Sequence, residues 1–103
     1  MIGITSWGVY LPRNRFSRQN ALDAFNGGSI DVLHLSKGER SVCGADEDAL
    51  TMAVEAAEKC LKNSNIISKG AVDSLCLASV TLPFADRLNA AIVKTAVGLK
   101  DSL

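Results

Sequence analysis

Apolar residues along this chain fall into two kinds of run, some spaced for a helix and some unbroken. The plainest helical run is "DEDALTMAVEAAEKCLKNS", where Leu50, Val54, Ala57 and Leu61 recur at helical spacing and form one narrow stripe. Small Ala53, Ala56 and Cys60 flank that stripe, which would let the helix lie close to a sheet. Asp46 can cap the helix, Glu47 and Asp48 add negative charge at its start, and Lys59 and Lys62 add positive charge at its end. A second helix is predicted over 87–98, where Leu88, Ile92, Thr95 with Ala96, and Leu99 repeat and Gly98 stands near the end. Between them Val72, Leu75, Leu77 and Val80 enclose Cys76 and Ala78. That unbroken run reads as a strand over 73–80 buried on both faces.

Earlier in the chain, residues 2–11 are rich in Gly and β-formers and end at Pro12, as a first strand would. Ser17 then caps a short helix over 18–25, which Asn26, Gly27 and Gly28 stop. The stretch "SIDVLHLSKGERSV" is read as an extended arm in its second half, leading to a strand near 39–43. Strand, helix, arm, helix, buried strand and helix make an α/β architecture, with helices covering a mainly parallel sheet. The sheet looks unfinished, because a fully apolar strand needs neighbours on both sides and the chain offers few.

Length and charge narrow the function. At 103 residues the chain is one small domain at most. Eleven Lys plus Arg balance eleven Asp plus Glu, so no global field draws nucleic acid or an anionic membrane. The N-terminus "MIGITSWGVYLPRNR" lacks the cationic start and apolar middle of a secretory signal, and a cytosolic protein is expected. Cys43, Cys60 and Cys76 fit neither a CxxC metal site nor a disulfide framework and read as reduced thiols. Cys60, near a helix C-terminus, and Cys76, inside an apolar strand, are expected to be plain core. Cys43 is a poor nucleophile candidate because Asp46, Glu47 and Asp48 surround the helix start beside it. His34 has no partner at metal-ligand spacing, and no metal site is expected. Trp7 is expected in the core of the first strand.

Three segments, "MIGITSWGVYLPRNRFSR", "GERSVCGADEDALTMAVEAAEKCL" and "VDSLCLASVTLPFADRLNAAIVKTAVGL", together resemble the N-terminal segment of the 3-hydroxy-3-methylglutaryl-CoA synthase-like branch of the thiolase superfamily. The archaeal and bacterial type is the closer flavour, and ketoacyl-ACP synthase III is a cousin. The resemblance covers essentially the whole chain. It implies the incomplete first half of a thiolase-like α/β/α/β/α fold, with residues 1–103 ending before the expected nucleophile. Family members are acyltransferases whose cysteine takes an acyl group from a CoA or carrier-protein thioester and then forms a carbon–carbon bond. By family spacing that cysteine should follow a short way beyond Leu103, so no catalytic residue is expected within this chain.

The resemblance also assigns candidate binding residues. Lys37 and Arg40 lie on the arm that in the cousins helps hold CoA, where a cation can meet its phosphates; the plainer reading is a solvated loop pair. Ser79 and Thr81, at the carboxyl end of the buried strand, face the acyl pocket or simply satisfy backbone there. In true 3-hydroxy-3-methylglutaryl-CoA synthases a Glu at this strand end is the general acid/base, and the matching position here is Val80. A valine cannot move a proton, and the nearest carboxylate is Asp86. No cofactor is implied beyond a coenzyme A thioester as substrate. Acyl-CoA or an acyl-carrier protein is the expected partner, and a homodimer the expected state of the complete protein. The alternative is a short non-catalytic thiolase-like binding or structural subunit, completed by a partner chain.

Overall fold

The computed structural model describes residues 2–24, 37–64 and 68–100. In chain order it contains β1 (Asn14–Ser17), α1 (Arg18–Ala24), β2 (Glu39–Val42), α2 (Ala49–Asn63), a single 3-10 turn (Lys69–Ala71) and α3 (Asn89–Val97). Helices and strands are both present, so the α/β class holds. Contacts gather the chain into two units, one of Leu11–Asp46 and one of Met1–Tyr10 with Glu47–Leu103.

In the first of these, β1 and β2 form a two-stranded antiparallel sheet that pairs Asn14 with Val42, Arg15 with Ser41, Phe16 with Arg40 and Ser17 with Glu39. The strand expected near 39–43 is present as β2. Its partner is a correction to the expected parallel sheet, since β1 carries Asn-Arg-Phe-Ser, a stretch with no apolar alternation to announce it. Backbone pairing holds these strands, because their side chains are largely exposed. Arg18 N donates to Gly38 O at 3.1 Å and extends the ladder by one step. Gly38, at a φ of 82°, makes the turn into β2 that a side chain would strain. Ser17 Oγ accepts from Asn20 N at 3.5 Å, in the capping role expected of it. The expected stop at Asn26, Gly27 and Gly28 and the arm up to Ser36, His34 included, lie outside the described residues.

The other unit is built on α2 and α3. Asp48, not Asp46, caps α2: its carboxylate accepts from Leu50 N and Thr51 N, both at 2.9 Å, and Thr51 Oγ1 accepts from Asp48 N at 2.9 Å. This reciprocal box explains the choice, because Asp48 finds a hydroxyl three residues on where Asp46 finds only Ala49. The stripe of α2 is as expected. Leu50 is buried, and Val54, Ala57 and Leu61 pack with it against Val93 and Val97 of α3. On α3 the buried line is Asn89, Val93 and Val97, one position round from the expected stripe, and Leu88 is the exposed residue before the first turn. Gly98 ends α3 in the left-handed conformation at a φ of 74°, with Leu99 N donating back to Lys94 O at 3.1 Å. The Lys69 ammonium donates to Val97 O at that same helix end, where the dipole favours a cation.

Neither expected long strand forms a ladder among the described residues. Leu75 and Leu77 do pack on the α2–α3 core, but Cys76, Ala78 and Val80 between and beyond them are exposed. The first segment behaves alike: Ser6 Oγ donates to Cys60 O at 2.6 Å and the Tyr10 hydroxyl donates to the Glu47 carboxylate, while Trp7 and Val9 face water. Trp7, expected in the core, is 70% exposed, and Cys76 is likewise open. Both runs are apolar on two faces, and here one layer of helices covers one face only. No described helix is long and apolar enough to cross a membrane.

Gly8 sets the distance between the first segment and α2. A Cβ built there would stand 2.2 Å from Ala56 O and 2.4 Å from Cys60 N, both backbone atoms that cannot swing aside. Gly8→Ala should therefore lower stability by about 1–3 kcal/mol, read as a fall in the urea midpoint; an unchanged midpoint would show that the segment does not sit on α2. A second pair of variants tests the one-sided packing. Leu77→Asp puts a carboxylate against the core and should cost about 2 kcal/mol or more, whereas Val80→Asp at an exposed site should stay within about 0.5 kcal/mol of the parent.

Candidate functional site

The segment from Ser79 to Asn89 follows the run packed on the α2–α3 core and holds most of the polar candidates. Ser79 Oγ accepts from Thr81 N at 3.1 Å and lies 3.2 Å from Thr81 Oγ1, so the two hydroxyls meet in a tight Ser/Thr turn. Both side chains are exposed. Backbone satisfaction at the end of the run is thus one role they do fill. Val80 between them is wholly exposed, and Asp86 further on is exposed.

Asn89 organises the remainder of this segment. Its Nδ2 donates to Phe84 O at 2.8 Å and to Arg87 O at 3.2 Å, drawing residues 84–88 over the start of α3. The two carbonyls fix the amide's orientation, and Oδ1 is buried without a hydrogen-bond partner among the described residues. The Arg87 guanidinium lies 5.2 Å from the centre of the Phe84 ring. Sequence reasoning passed over Asn89. The signal was a polar residue at the head of an apolar helix, where amides are favoured for their bonds to nearby backbone.

Lys37 and Arg40 belong to the other unit, just before and within β2, and both are exposed. Arg40 stands opposite Phe16 in the antiparallel register, a cross-strand cation and aromatic pair. The structure brings Ser79 and Thr81 together, and Lys37 and Arg40 within one short stretch. Cys43 is exposed and Cys60 half-buried, with its carbonyl held by Ser6. No group of three or more His, Cys, Asp or Glu among the described residues is placed to hold a metal ion.

The clasp made by Asn89 can be tested directly. Asn89→Asp replaces a donor by a carboxylate facing two carbonyls and should destabilise the protein by at least about 1–3 kcal/mol, with faster amide exchange after Phe84. A variant as stable as the parent would show that the clasp is dispensable.

No family model matches the chain, and no solved structure does. Proteins named hydroxymethylglutaryl-CoA synthase do match it. That of Pyrobaculum aerophilum is 30% identical over 103 residues, 99% of this chain and 29% of the relative. Those of Archaeoglobus fulgidus and Methanothermobacter thermautotrophicus are 33% and 34% identical over 96% and 94% of the chain, again 29% and 28% of their own lengths. The chain therefore spans under a third of the relatives it matches, and along almost all of its length it is a homologue of the hydroxymethylglutaryl-CoA synthases.

Proposed function

We propose that this chain is the N-terminal part of a condensing enzyme of the hydroxymethylglutaryl-CoA synthase kind, an acyltransferase that works through a cysteine acyl-enzyme. The observation that carries the proposal is the similarity to those synthases over 99% of the chain. In this reading the two apolar runs are strands of a thiolase-like α/β/α/β/α fold. Their uncovered residues, Trp7, Val9, Cys76 and Val80, take the places a second layer would bury. The nucleophile is a cysteine outside residues 1–103; its thiolate attacks the thioester carbonyl, the acyl group passes to sulfur and coenzyme A leaves as its thiolate.

Within this chain the proposed roles are in binding. Lys37 and Arg40 meet the phosphates of coenzyme A, and Ser79 and Thr81 offer hydroxyls to the acyl pocket. Val80 stands where the synthases carry their general acid/base, which leaves acyl transfer intact but removes the group that deprotonates an acetyl donor. Loss of such a base costs about a hundred- to ten-thousand-fold in rate. The acyl donor is then an acyl-CoA or acyl-carrier protein, and the complete protein is a cytoplasmic homodimer. A second reading, a short non-catalytic subunit completed by a partner chain, is favoured by the same uncovered apolar residues.

Incubating labelled acetyl-CoA with the polypeptide that includes the nucleophile tests the proposal. Label should become covalently attached to protein, while the 103-residue chain alone should release no coenzyme A. Release that depends on Cys43, Cys60 or Cys76 would overturn the assignment of the nucleophile. The same polypeptide should condense acetyl-CoA with acetoacetyl-CoA slowly or not at all, and Val80→Glu should raise condensation without helping acylation. Rapid condensation by the parent would show that another group, such as Asp86, supplies the base.

A further inference from the structure

We draw no further inference here: the strongest candidate, the exposed apolar surface of the first segment at Ile2, Ile4, Trp7 and Val9, in the unit built on α2 and α3, carries nothing because nothing in the structure shows what covers it.

Discussion

Leu50, Val93 and Val97, at 4%, 2% and 1% exposure, are the hydrophobic residues that leave water almost completely among those described, and they come from two helices far apart in the chain. The order of the α2–α3 unit depends on that seam. Ala53, Val54, Ala57 and Leu61 reach it from one helix, Ile92 from the other, Leu99 from just beyond that helix's end, and Leu75, Leu77 and Leu82 from the segment between. A core of three buried hydrophobic side chains is small, and helices of fifteen and nine residues gain little from propensity alone. Packing across the seam and the caps at the helix ends must hold them together.

The helices were legible because their signals are local. Apolar spacing and end charges located α2, and Gly98 closed α3 where a left-handed residue was needed. The cap shifted from Asp46 to Asp48 through a hydroxyl at Thr51 that a count of acids does not weigh. The strands were less legible, since an apolar run records what a segment is able to bury and not what is there to bury it. Leu75 and Leu77 found a layer of helices, and Cys76 and Ala78 did not. β1 went unforeseen for the opposite reason, as its pairing rests on backbone hydrogen bonds that Asn14 and Arg15 do not advertise.

Much the same division runs through the candidate site. Ser79 and Thr81 were singled out by their place at the end of an apolar run, and the turn they share is a local bond between neighbours. Asn89 was missed because its function lies in two carbonyls supplied by a loop whose path no periodicity describes. Homology reaches further than either kind of signal, because it weighs almost the whole length of this chain at once.

Trp7 is the one tryptophan of the chain, and it stands on the open side of the segment that Gly8 presses against α2. An indole in water emits towards the red and is reached freely by collisional quenchers, and both properties reverse when an apolar layer closes over it. The molecule thus carries its own optical gauge of cover on that side. Any layer that closed over Trp7 would show in the colour of its emission.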